Sequence, residues 1–175
     1  MNWDAISTIA EIVGAIAVVV TLWYLANQLR QSAQQAQADN LQRAVYRWVD
    51  IQTEHFRTPE SAKLIQSALN NYEERSSVEK MAFHGFMAQL VSCFHTILAL
   101  YQRQLWSEKD FATIERGMVG YLQCPGALAW WDEVKFSFPG ELAEHLDQAI
   151  AVAQIPPFTQ SASFYRLPVE SSRTE

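Results

Sequence analysis

Glu11 is the residue whose type and position most strongly suggest chemistry. It is the one Asp, Glu, Lys or Arg in an apolar stretch that covers residues 6–29. A carboxylate inside such a stretch is costly if the stretch crosses a membrane, and it is therefore a functional candidate. Glu11, Ala15, Val18 and Leu22 share one helix face, which could line a pore in an oligomer. The simpler interpretation is that Glu11 reaches water near the helix N-terminus, where the helix dipole favours a negative charge. A third interpretation is a hydrogen bond from Glu11 to a neighbouring helix or to a partner protein.

The histidines do not form a recognisable metal site. His84 and His95 are separated by about three helical turns, or roughly 16 Å, which is too far for one ion. Glu141 and His145 have the spacing i, i+4 on a helix and could each offer one ligand. Two ligands alone are a weak indication, and a solvated pair is the favoured interpretation. The sequence therefore predicts no metal.

The remaining reactive side chains lack the context that catalysis needs. Cys93 and Cys124 have no CxxC spacing, so neither a zinc site nor a redox motif is indicated. They fit free buried thiols in a reducing compartment. There is no glycine-rich phosphate loop and no triad motif. The sequence predicts no catalytic residue, no cofactor and no enzymatic activity.

The apolar stretch itself predicts a membrane helix. Residues 12–26 read IVGAIAVVVTLWYLA without a charge. The longer stretch, residues 6–29, would reach about 36 Å as a helix, enough for a hydrocarbon core of about 30 Å. A buried core helix of a soluble domain is the alternative. A cleaved signal peptide is disfavoured because residues 1–4 carry no Lys or Arg. Residues 1–29 are therefore predicted to be a transmembrane anchor.

One face of this helix is made of small residues. Ala10, Gly14, Ala17 and Thr21 follow at spacings of 4, 3 and 4, which places them on one side. Small side chains let membrane helices approach closely, so this face predicts self-association or packing against a membrane partner. We call it the small face.

The charges around the stretch predict its orientation and exclude one class of partner. Arg30, Arg43 and Arg47 follow the stretch, whereas no basic residue precedes it. Positive charge stays in the cytoplasm, so the N-terminus should face out and the remainder should be cytoplasmic. The net charge is −6 and there is no basic patch, so nucleic-acid binding is not expected.

The rest of the chain is predicted to be helical, giving an all-α fold with a cytoplasmic helical bundle. Residues 30–57 should form a stalk or first bundle helix, with a possible break where Asp39 could cap a new helix. Residues 58–153 should form the bundle, with start signals at Thr58-Pro59-Glu60 and at the capping box that begins with Ser76. The helix from about 77 to 106 should be its centre. Residues 154–175 should be a flexible tail.

Two segments resemble a widespread group of small uncharacterised bacterial proteins. The first is residues 4–32, DAISTIAEIVGAIAVVVTLWYLANQLRQS; the second contains Pro125-Gly126, Trp130-Trp131 and the run FSFPGE at 136–141. The resemblance covers roughly residues 4–150. It implies one N-terminal membrane helix and a helical cytoplasmic domain in a bacterium, and it implies no activity. The tryptophan pair is interpreted as two large side chains that fill the protein core, rather than as a site where a ligand stacks.

These features together predict a single-pass protein of the bacterial inner membrane. Its predicted partners are the lipid bilayer and either further copies of itself or another membrane protein. It should act through protein–protein association, as a homo-oligomer or an accessory or scaffold subunit. An oligomeric ion-conducting pore lined by the Glu11 helix is the alternative.

Overall fold

The fold is all-α, as the sequence predicts. The computed structural model describes residues 3–161, including their side chains except those of residues 3–13, 15, 37 and 41. The described residues are 84% helical, and no strand occurs among them. The helices are α1 (Trp3–His55), α2 (Pro59–Asn70), α3 (Ser77–Gln102), α4 (Glu108–Leu122), α5 (Pro125–Val134), α6 (Gly140–Val152) and α7 (Phe158–Ser161), with a 3₁₀ turn (Lys135–Ser137) after α5.

The first helix is a single element of 53 residues. The break considered at Asp39–Asn40 does not occur, because both residues lie inside α1. By its internal contacts the chain divides after Arg43 into two units. The last three turns of α1, from Ala44 onward, therefore belong to the second unit, which also contains α2 to α7.

Local start signals in the sequence correspond to real helix N-termini. Thr58 caps α2 by accepting a hydrogen bond from the Ser61 amide at 3.2 Å, with Pro59 in the first turn. Ser76 and Glu79 form the full capping box of α3, in which the Glu79 carboxylate accepts from the Ser76 amide at 2.9 Å. Hydrogen bonds from Ser76 lower the pKa of Glu79. The two predicted helix starts are confirmed.

Helix α3 supplies the centre of the core. Phe86, Leu90 and Phe94 are fully buried and Leu98 is 3% exposed, as predicted. The helix ends at Gln102, earlier than the predicted end near residue 106, because Gln104 takes a left-handed backbone conformation (φ 60°) that no α-helix continues through.

Within the part of the chain that the structure describes, this helix is the one element that is long and apolar enough to cross a membrane. Half of that stretch is buried inside the protein, and a core helix of a soluble domain has the same length and composition. Its burial among α2, α4 and the aromatic residues of α5 accounts for its apolar sequence.

Two glycines let neighbouring elements approach closely. A Cβ atom on Gly126 of α5 would lie 1.9 Å from the backbone oxygen of Ala68 in α2. A Cβ atom on Gly120 of α4 would lie 2.7 Å from the ring of Phe158. Only glycine fits at the α2–α5 crossing, since a backbone oxygen there has no rotamer by which to move away.

The segment assigned to a flexible tail begins with ordered structure. Residues 154–161 include α7, in which Thr159 is buried. The ring of Phe158 meets that of Tyr121 edge-on, with centroids 4.9 Å apart. This apolar contact explains why the segment packs. Residues 162–175 lie outside the described residues.

Candidate functional site: the exposed apolar surface of helix α1

The most unusual surface of the protein is the apolar part of α1 between Gly14 and Leu29. Val18, Val19 and Val20 are 58%, 65% and 56% exposed. Successive helical residues point about 100° apart, so three exposed neighbours face three directions. Leu22, Trp23 and Tyr24 repeat the pattern one turn later, at 61%, 70% and 61%. The apolar surface therefore runs around the whole helix; we call it the α1 apolar surface.

Helices that are apolar on every side are normally buried, either in a protein core or in a membrane. Between Gly14 and Leu29, the residues that the structure describes do not supply that burial. Nine large hydrophobic side chains in this stretch are 47–72% exposed: Ile16, Val18, Val19, Val20, Leu22, Trp23, Tyr24, Leu25 and Leu29. At about 1 kcal/mol for each half-exposed side chain, their contact with water costs on the order of 10 kcal/mol. That is comparable to the whole stability of a typical domain.

The small face forms part of this surface. Gly14, Ala17 and Thr21 are exposed, and a Cβ atom on Gly14 would meet nothing within 4 Å. The Thr21 hydroxyl donates to the Ala17 carbonyl at 2.8 Å, so its hydrogen is satisfied inside the helix. The face therefore offers closely approachable, mainly apolar surface. The side chain of Ala10, its fourth member, lies outside the described residues.

The pore-lining face is only partly described. Val18 and Leu22 are exposed to the same degree as residues on the other sides of α1. The side chains of Glu11 and Ala15 are not among those described. The geometry therefore does not distinguish this face from its neighbours.

The tryptophan pair lies in the core of the second unit. Trp130 and Trp131 are fully buried on α5, whose first turn contains Pro125 and Gly126. The Trp130 indole donates to Nδ1 of His84 at 3.2 Å. Because an indole N–H can only donate, Nδ1 of His84 must carry a lone pair. With both rings enclosed, neither offers an open face for stacking a ligand.

The second indole is held by a carboxylate. Trp131 donates to Asp147 at 2.8 Å, and Lys135 lies 3.1 Å from the other carboxylate oxygen. Burial raises the pKa of Asp147, but the bonds from Trp131 and Lys135 outweigh it and leave the pKa below its usual value. This cluster ties α5 to α6 and satisfies a buried donor, which is a structural role.

One polar pair could not be predicted from the sequence. His145 is paired with Glu115 of α4, at 2.7 Å, rather than with Glu141 of its own helix. Thirty residues separate the partners along the chain, and no local motif indicates such a pairing. In the described part of the chain, no three side chains of His, Cys, Asp or Glu gather as they would around a metal ion.

The two cysteines are free and buried. Burial raises the pKa of both thiols. Cys93 donates weakly to the Ala44 carbonyl at 3.8 Å, and Cys124 to the Gly120 carbonyl at 3.4 Å. Neutral, enclosed thiols are poor nucleophiles, so neither environment favours covalent chemistry.

Comparison of the chain with protein families, curated proteins and solved structures gives no match. The resemblance that the two end motifs of the chain carry therefore stays a prediction.

Proposed function

We propose that this is a single-span membrane protein that acts through protein–protein association. Residues 1–29 form the anchor, and the helices of the second unit form a bundle on the cytoplasmic side. The observation that carries the proposal is the α1 apolar surface, which is exposed on every side of the helix. A lipid bilayer buries such a surface without any further partner.

The orientation follows from charge. Arg30, Arg43 and Arg47 all follow the apolar stretch. Retention of basic residues in the cytoplasm places the N-terminus outside and the second unit inside. Together with the resemblance to bacterial proteins, this makes the bacterial inner membrane the proposed location.

Association is proposed to use the small face. Lipid tails are as apolar as leucine, so membrane helices gain little hydrophobic free energy by pairing, and close packing must drive association. Gly14 has no side chain, and a Cβ atom there would meet nothing within 4 Å, so the backbone of a second helix can come close at this position. A homo-oligomer is the arrangement we favour, and an accessory or scaffold role with another membrane protein would use the same surface.

The test is native mass spectrometry of full-length protein extracted in a mild detergent. Gly14→Leu should reduce the oligomer strongly because its side chain holds two backbones apart, while Gly14→Ala should reduce it less. Val19→Phe is the matched control, since Val19 lies about 140° around the helix from Gly14. It should leave the oligomer intact. A monomeric native protein, or an oligomer that survives Gly14→Leu, would overturn the proposed interface.

The same material separates association from ion conduction. Protein reconstituted in liposomes should show no ion flux if it is a scaffold. Flux that is present in the native protein and lost in Glu11→Gln would instead support the pore alternative.

A further inference from the structure

A surface groove with several polar side chains runs between the last turns of α1 and the middle of α3, within the second unit. Its volume is about 380 Å³, and it is lined by Arg47, Ala88, Gln89, Ser92, Cys93 and Thr96. The α3 residues recur at intervals of three and four, so they form one continuous wall of that helix. Small-molecule sites in proteins have volumes of about 300–1,000 Å³.

Arg47, Gln89 and Ser92 each bring hydrogen-bond donors to this groove. In the part of the chain that the structure describes, Arg47 forms no ion pair within 4 Å. The Gln89 amide and the Ser92 hydroxyl make no hydrogen bond to any described residue. The Thr96 hydroxyl is already committed, since it donates to the Ser92 carbonyl at 3.2 Å. No carboxylate is among the lining residues.

The wall behind these donors is neutral. Cys93 is 7% exposed, and burial raises its thiol pKa more than the nearby Arg47 lowers it. The protonated thiol points to the Ala44 carbonyl at 3.8 Å. An anion in the groove would therefore meet an arginine, an amide and a hydroxyl, with no negative charge on the lining side chains.

We infer that this groove binds a small oxyanion, the phosphate or carboxylate group of a soluble metabolite. Arginine suits that role because its planar donors match the two oxygens of a phosphate or carboxylate. Gln89 and Ser92 would then donate to the remaining oxygens from the α3 side. This inference is independent of the proposed membrane association, because every residue involved belongs to the second unit.

The test is an NMR titration of full-length ¹⁵N-labelled protein in an uncharged detergent. Sodium phosphate is the probe, and sodium chloride holds the ionic strength constant. We expect saturable shifts in the Gln89 side-chain amide and in the backbone amides of Ser92 and Cys93. Shifts that grow linearly without saturation, or that spread evenly over the protein, would overturn the site.

Substitutions inside and outside the groove test whether phosphate binds there. Arg47→Gln should weaken binding by about 10-fold or more, since it removes charge-assisted hydrogen bonds, and Ser92→Ala by roughly 5-fold. Arg57→Gln is the matched control: it removes the same charge from an exposed residue outside the groove, and binding should be unchanged. Equal loss in the Arg47 and Arg57 variants would mean non-specific attraction and would refute the inference. If Arg47→Gln unfolds, as helical circular dichroism would show, Ser92→Ala and Gln89→Ala decide the question.

A lipid headgroup is the other source of a phosphate. Full-length protein in nanodiscs of phosphatidylcholine, with and without phosphatidylglycerol, distinguishes the two sources. For a soluble metabolite site, phosphate should shift Gln89 in both lipids, and phosphatidylglycerol alone should not. A shift caused by phosphatidylglycerol and not by phosphate would overturn the assignment to a soluble anion.

Discussion

Replacing Gly126 by alanine tests whether the α2–α5 crossing depends on a missing side chain. The new Cβ atom would lie 1.9 Å from the Ala68 oxygen and 2.8 Å from the Tyr72 nitrogen. Ordinary contact begins at 3.4 Å, so one helix must move by about 1.5 Å to relieve the clash. Both opposing atoms belong to the backbone, and no rotamer change can help.

The cost follows from what that movement disturbs. Helix α2 buries Ile65, Ala68 and Leu69 in the core, with exposures of 2%, 0% and 0%. Forcing extra volume into a well-packed interior costs about 1–3 kcal/mol, and more when the backbone must shift. We expect Gly126→Ala to lower the free energy of unfolding by about 3 kcal/mol. For a domain of this size that corresponds to a fall in Tm of about 12 °C.

Two other glycines calibrate the measurement. Gly85 lies inside α3, and a Cβ there meets nothing within 4 Å, so Gly85→Ala should stabilise the protein by about 0.5–1 kcal/mol through helix propensity. Gly120→Ala opposes only the ring of Phe158, which can swing aside with α7, and should cost about 1–2 kcal/mol. Thermal unfolding in mild detergent, followed by tryptophan fluorescence, measures the stability of all three variants. A Gly126→Ala protein as stable as Gly85→Ala would refute the packing described for α2 and α5.

Three further outcomes are expected. Phe94→Ala should cost about 3–5 kcal/mol in the same assay because the ring is fully buried; a near-neutral effect would mean that this face is not core. Asp147→Ala should cost about 1–3 kcal/mol by leaving the Trp131 indole unsatisfied, and Asp147→Asn less. Because the folded pKa of Asp147 is lowered, its stabilising contribution is present above about pH 4 and is lost as pH falls through the folded value. Asp147→Asn should therefore flatten acid unfolding below pH 4, and an unchanged profile would contradict this role. Cys93 and Cys124 should react with a thiol reagent slowly until denaturant is added, and rapid labelling in the native state would contradict their burial.

Much of the fold was predictable because its signals are local. The Thr58 cap and the Ser76 capping box each depend on side chains within one turn of the helix start. The buried face of α3 follows from apolar spacing, which a single helix imposes on its own sequence. These features need no knowledge of what lies elsewhere in the chain.

Helix continuity at Asp39–Asn40 was harder to predict. Either residue can cap a new helix, but each can also sit within one at a modest cost. The surrounding sequence contains no glycine or proline between residues 28 and 57, so nothing forces the chain out of the helix. Continuation avoids the unsatisfied backbone groups that two new helix ends would create.

Partners that lie far apart in sequence escaped prediction altogether. The Glu115–His145 pair and the Trp131–Asp147 bond join residues 30 and 16 positions apart. Their meeting depends on how α4, α5 and α6 pack. The ordered start of the tail has the same origin, since it depends on the space that Gly120 leaves for Phe158.

The proposal that the α1 apolar surface spans a lipid bilayer is tested most directly by alkaline carbonate extraction of cell membranes. The full-length protein should stay in the membrane pellet. A variant carrying Val18→Lys and Val19→Lys should be released, because each lysine near the centre of a span adds about 2.5–3.5 kcal/mol to insertion. Native protein in the carbonate supernatant, or a doubly charged variant that pellets as firmly as the native protein, would contradict the account.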